Sequence, residues 1–182
     1  MVTTALVATD RRSSGIVVED QLIESRVANR IDAKFSNDAH VNVHSFNRIV
    51  LLTGEVRTEE LRKAVEDVAR ASDKVRTVVN ETASMSTTTF SNRASDTLLA
   101  NEIRARYVSE GHFQATVVAT VVERHEVFLM GLVTPAEAAE AVRVASTTSG
   151  VERVVKVFEY IDPASLPPPP ARQDSAKPLG QK

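Results

Sequence analysis

The chain has 182 residues, 42% apolar and 25% charged, which excludes fibrous and wholly disordered classes and fits one medium or two small folded domains. Aromatics make up only 4%, with no Trp, so any core must be built from Val, Ile, Leu and Ala in thin layers. A formal net charge of -2 excludes a general attraction for nucleic acid, and the absence of cysteine excludes thiol catalysis, Cys-based zinc sites and disulfides.

Residues 1–19 read as a flexible N-terminal tether. Its first eight residues lack the basic start and long apolar stretch of a signal peptide, and no apolar run in the chain approaches the roughly 20 residues that cross a bilayer. From Asp20 onward the chain repeats itself. Asp20-Gln21-Leu22-Ile23 is echoed by Asp96-Thr97-Leu98-Leu99, Ile49-Val50-Leu51-Leu52-Thr53-Gly54 by Val127-Phe128-Leu129-Met130-Gly131, and Val75-Arg76-Thr77-Val78-Val79 by Val151-Glu152-Arg153-Val154-Val155. Order and spacing are kept throughout, which predicts two copies of one unit over residues 20–82 and 96–161.

In the first copy, Ile23, Val27, Ile31 and Phe35 recur every four residues behind Asp20, predicting an amphipathic helix over residues 21–35 with Asp20 as its N-cap. Val41 and Val43 then alternate with His40, Asn42 and His44, and Asn47-Arg48 interrupts the run before Ile49. This is a β-hairpin whose turn lacks the glycine such turns prefer. With the valines inward, His40 and His44 are expected to face water rather than a metal ion. Leu61, Ala64, Val65, Val68 and Ala69 mark a second helix after Gly54, and residues 75–79 a last strand. Residues 83–95, rich in Ser and Thr, read as a linker.

The second copy repeats the series. Leu99, Ile103 and Tyr107 form its first helical stripe, Arg124-His125 its hairpin turn, and Thr134-Pro135-Ala136-Glu137 a capping box that opens an Ala-rich helix. Ser149-Gly150 is expected to end that helix before the β-branched residues 151–158. Residues 162–182 hold the proline run 167–170 and read as a disordered or polyproline-like tail. The predicted fold class is α+β: two tandem α-β-β-α-β units, each a small mixed three-stranded sheet packed on two helices.

A duplicated α-β-β-α-β unit, in which a hydrophobic strand runs into glycine and is followed by a Thr-capped helix and a strand of the form VxxVVxV, resembles the BON domain (bacterial OsmY and nodulation). The segment Glu126-Val127-Phe128-Leu129-Met130-Gly131-Leu132-Val133-Thr134 is similar to the most recognisable stretch of the dual-BON outer-membrane lipoproteins, and Ala8-Thr9-Asp10-Arg11-Arg12 and Ala94-Ser95-Asp96-Thr97 add to the match. The resemblance implies an exported lipoprotein held by a lipidated N-terminal cysteine in the inner leaflet of the outer membrane, facing the periplasm. It further implies binding of anionic phospholipid (phosphatidylglycerol, cardiolipin) and support of envelope integrity. This chain carries no such cysteine, so the anchor would belong to a precursor form. Arg48 and His125 replace the family's hairpin glycine, and Asp73-Lys74 stands where the second copy has Gly150.

The family's lipid-contacting surface is the first helix of the second unit, which makes Leu98, Leu99, Arg93, Arg104 and Arg106 the candidate site, an apolar wedge with cations for phosphate. From the residues alone Leu98 lies beside the core-facing stripe, and both rim packing and membrane insertion stay open for it. Glu102 stands where a cation would help, and the second copy carries six basic against nine acidic residues, so the attraction must be local. No nucleophile elbow or phosphate-binding loop exists, so no catalytic residue, cofactor or metal is expected. A protein-interaction scaffold for outer-membrane assembly, using the sheet or the proline-rich tail, is the alternative.

Residues 49–52 and 127–130 are apolar at every position, so both faces of these strands want burial. With units of about 65 residues too small to be comfortably stable alone, the two copies are expected to dock, with residues 83–95 as a tether between them.

Overall fold

Both copies open on a helix longer than the periodicity predicts. The computed structural model describes residues 10–85 and 90–166, and in it α1 spans Ser14–Phe35 and α3 spans Phe90–Glu110. The N-cap of α1 is Ser13, whose hydroxyl accepts from the Ile16 amide, and not Asp20. Asp20 instead sits inside the helix on its buried stripe, in line with Ile23, Val27 and Ile31.

The reason lies in the hairpin. Strands β1 (Ala39–Phe46) and β2 (Ile49–Val56) pair antiparallel with Phe46 opposite Ile49, leaving a two-residue turn. Such a turn needs positive φ at both positions, and Asn47 and Arg48 adopt 50° and 65° without being glycine. The Asp20 carboxylate accepts from both turn amides, at 2.8 and 2.7 Å, from the Ser45 hydroxyl at 2.8 Å, and from Arg12 at 2.9 Å. In the second copy Asp96 does the same for Arg124 (2.8 Å) and His125 (2.9 Å), whose φ values are 52° and 62°. These charge-assisted bonds from a rigid helix offset the left-handed strain that glycine would have avoided.

After β2, helix α2 (Glu59–Arg70) crosses over so that β3 (Thr77–Asn80) lies parallel to it, giving the order β1-β2-β3. The expected linker is partly ordered: Ala83–Ser84 forms β4 against Glu55 and Val56, and α3 begins at Phe90, so residues 83–95 are not a plain tether. The second copy builds β5 (Val118–Glu123), β6 (Glu126–Val133), α4 (Pro135–Ser146) and β7 (Arg153–Tyr160) in the same order. The predicted capping box of α4 is present in full. The helix ends at Ser146, however, ahead of Ser149-Gly150. Gly54 is required by geometry, since its φ is 100° and a Cβ there would lie 2.1 Å from the His40 carbonyl oxygen. Gly131 fills the equivalent place, where a Cβ would lie 2.5 Å from the Val117 oxygen.

Alternation along the central strands resolves their continuous apolarity. Val50, Leu52 and Val56 pack on α1 and α2, and Val127, Leu129 and Val133 on α3 and α4. The residues between them, Leu51 with Phe46 and Phe128 with Met130 and Val157, meet in a third cluster shared by both sheets. The molecule is therefore a four-layer stack, helices outside and two sheets face to face. Polar ties ring this seam. Asn42 donates to Glu123 (2.9 Å), Asn47 to Glu159 (2.7 Å), Arg153 to Glu81 (2.9 Å) and Arg124 to the Gly54 carbonyl (3.0 Å), and Arg76 pairs with Glu159.

Residues 10–19, read as flexible tether, belong to the fold. Arg12 lies 3.9 Å over the Phe46 ring, and Arg11 reaches the other copy with bonds of 2.7 Å to the Leu132 carbonyl and to both Glu137 oxygens. The expected tail, beyond its first residues, lies outside the described residues, as does the start of the tether.

Candidate functional site

Helix α3 divides its residues by the 100° step of the α-helix. Leu99, Ile103 and Tyr107 point into the second core, where the Tyr107 hydroxyl donates to the Ala141 carbonyl at 3.2 Å and its ring tilts against Phe113 at 5.0 Å. Burial pushes that hydroxyl up to about 12, so it stays a neutral donor. The opposite face carries Leu98, 70% exposed, and Val108, 72% exposed, about 15 Å apart along the axis. Asn101, Glu102 and Ala105 lie between them, also exposed.

The five candidate residues separate on this framework. Leu98 projects to solvent. Leu99 is 7% exposed and committed to the core, so it cannot be part of a contact surface. Arg106 is spent on α4: it donates to the Val144 carbonyl (2.9 Å), to Thr148 (2.7 Å) and Thr147 (3.1 Å), and pairs with Glu110 (2.8 Å). It serves the C-terminal carbonyls of that helix, leaving little charge for a phosphate. Arg104 is exposed and donates to the Thr120 carbonyl (2.6 Å) and Asn101 (3.2 Å), both uncharged acceptors, so its charge remains available. Arg93 is half-buried, and its Nε finds no hydrogen-bond partner among the described residues.

Arg93 and Arg104 converge on a cleft of 610 Å³ between α3, β5 and the first copy's β1, whose His40, Asn42 and His44 form the facing wall. The histidines therefore do not face water as expected; they face the other copy. Burial pushes His44 below its ordinary value and keeps the ring neutral. Burial likewise pushes Glu123 up, with Glu55 and Asp96 adding repulsion that Asn42 and Arg124 only partly offset. Among the described residues no group of three or more His, Asp or Glu is placed to hold a metal ion. The histidines' placement was hidden from the sequence, because β1 faces a partner 80 residues away; the one available signal was that the strands beside it were apolar on both faces.

Among the described residues no helix is long and apolar enough to cross a membrane. The model of the BON domain family matches residues 19–83 and 95–162. The chain is 34% identical over 160 residues to the outer membrane lipoprotein DolP of Haemophilus influenzae, covering 87% of this chain and 83% of that protein. It is 31% identical over 154 residues to the 21 kDa hemolysin of Actinobacillus pleuropneumoniae, covering 84% and 79%. Among solved structures, CdsD, a structural protein of the Type III secretion system of Chlamydia trachomatis, aligns over 80% of this chain and 92% of its own, at 12% identity and a TM-score of 0.32.

Proposed function

Because the chain belongs to the BON domain family in both of its copies, we propose that it is a non-enzymatic outer-membrane lipoprotein on the periplasmic side that binds anionic phospholipid through α3 and supports envelope integrity. The observation that carries this reading is the exposure of Leu98 and Val108 on the outer face of α3, with Arg93 and Arg104 about a third of a turn away on the cleft side of the same helix, neither bonded to a carboxylate among the described residues. Leu98 and Val108 enter the interface, and the arginines take headgroup phosphate. Leu99 and Arg106 drop out of the site.

Burying Leu98 contributes roughly 2 kcal/mol and each interfacial cation about 1. Together these come to about 4 kcal/mol before the opposition of Glu102, which corresponds to a reversible contact of millimolar class at best. Such a surface selects among lipids, and a covalent lipid on the mature N-terminus supplies residence at the membrane. Incorporation of labelled palmitate in the producing bacterium tests that anchor.

Flotation with vesicles tests the surface. The chain is expected to float with phosphatidylcholine vesicles containing phosphatidylglycerol or cardiolipin at low salt, and not with phosphatidylcholine alone. Leu98→Glu is expected to abolish flotation with little change in melting temperature, whereas Ile103→Glu, which puts a charge into the core, unfolds the second copy. Flotation unchanged by Leu98→Glu sinks the wedge. A chain that ignores anionic vesicles altogether sinks the lipid reading and leaves the assembly scaffold, though not on the sheets, whose free faces cover each other.

A further inference from the structure

The two copies differ at one seam. Thr58 and Thr134 cap the second helix of each unit, so Arg62 and Glu66 of α2 correspond to Ala138 and Val142 of α4. The strand registers likewise set Asn80 of β3 against Lys156 of β7. In the first copy these residues close the seam between helix and strand. Arg62 donates to the carbonyls of Asn80 (2.7 Å) and Thr82 (2.9 Å), and Asn80 donates back to the Arg62 carbonyl (2.9 Å) and to Glu66 (3.3 Å). In the second copy Ala138 and Val142 in place of Arg62 and Glu66 leave an open groove of 730 Å³, floored by those two residues, walled by Pro135, Ala139 and Tyr160, and rimmed by Arg143 and Lys156.

Tyr160 is 59% exposed, held edge-on by Phe158 at 6.4 Å, and presents its ring at the end of β7. Strand β7 is an edge strand, so its outward amides have no partner within the sheet. Just beyond, Asp162 caps a 3-10 turn over Pro163–Ser165, and the chain continues from Leu166 into the proline run 167–170.

We propose that residues 167–170 dock in cis as a polyproline II helix in the groove between α4 and β7, stacked on Tyr160. Four prolines in that conformation span about 12 Å, and the groove along α4 from Pro135 to Val142 runs about 10 Å. Prolines bring no N–H, so they cannot extend the sheet as a strand, yet their carbonyls can accept from the β7 edge while their rings fill an aromatic-walled apolar groove. The short connection through residues 161–166 places the run at a millimolar-class effective concentration, enough to populate a weak contact without other help.

The absence of cysteine makes the test clean, since Ser175→Cys gives the full chain a single spin-label site. The amide signals of Ala139, Val142 and Tyr160 are expected to be lost selectively to paramagnetic broadening, while those of the first copy keep their intensity. Replacing all four prolines by serine, or Tyr160→Ser at an exposed position, is expected to restore them. Broadening that is absent, uniform over the molecule, or indifferent to both replacements overturns the proposal. So does broadening seen only between spin-labelled and isotope-labelled chains in a mixed sample, which makes a second copy the occupant.

Discussion

A single step along α3 separates Leu98 in solvent from Leu99 in the core, and the two leucines illustrate how residue identity says less than residue phase. The same holds for the arginines, of which Arg106 serves α4 while Arg104 keeps its charge. His44 adds a titration at this scale. Burial lowers its folded value below the ordinary 6.5, so between the two values the unfolded chain binds a proton that the folded chain resists. Its contribution is complete above pH 6.5 and is lost as pH falls through the depressed folded value. The melting temperature is therefore expected to decline on acidification from pH 7 to pH 5, and His44→Gln to flatten that decline. An identical slope in the variant would assign the loss to other groups.

At the scale of elements, the helix and the hairpin of each copy are one device. The left-handed turns at Asn47-Arg48 and Arg124-His125 are strained for side-chain-bearing residues, and they persist because Asp20 and Asp96 collect their amides. Asp20→Ala leaves two turn amides and the Ser45 hydroxyl without their acceptor, with an expected loss of about 3 kcal/mol in a denaturant titration. Arg48→Gly is expected to do the opposite, gaining about 0.5 kcal/mol by removing the left-handed strain net of glycine's greater chain entropy. If Arg48→Gly destabilises instead, the Arg48 side chain does more for the fold than the turn strain costs.

At the scale of the whole molecule, the shared cluster of Phe46, Leu51, Phe128, Met130 and Val157 makes the two copies one folding body. Each sheet covers the apolar face the other would expose, and Arg11 and Arg12 clamp the start of the first copy to both units. Calorimetry of the full chain is expected to show one transition. Phe128→Lys, which puts a charge at the centre of the seam, is expected to split it into two and lower both midpoints. Residues 20–82 and 96–161 melting separately with unchanged midpoints would show that the seam contributes nothing.

The internal repeat, the order of elements, the buried stripes of both first helices and the capping box at Thr134 were legible in the sequence, because each is a local pattern whose period matches the structure it forms. Even the docking of the copies was legible in outline, since Leu51 and Phe128 are apolar where a solvent-facing position would be polar. What only the tertiary structure decided is where the polar exceptions go. Asp20 read as a helix start because capping is a local pattern, whereas its true partners, like those of Asp96, are turn amides more than 25 residues away. His40 and His44 read as solvent-facing because alternation tells two faces apart without saying what covers the second. Arg106 read as a free cation because its acceptors, the last carbonyls of α4, lie nearly 40 residues on in the chain. Periodicity reports which side of an element is buried; only the contact between distant segments settles what each polar group on that side is bonded to.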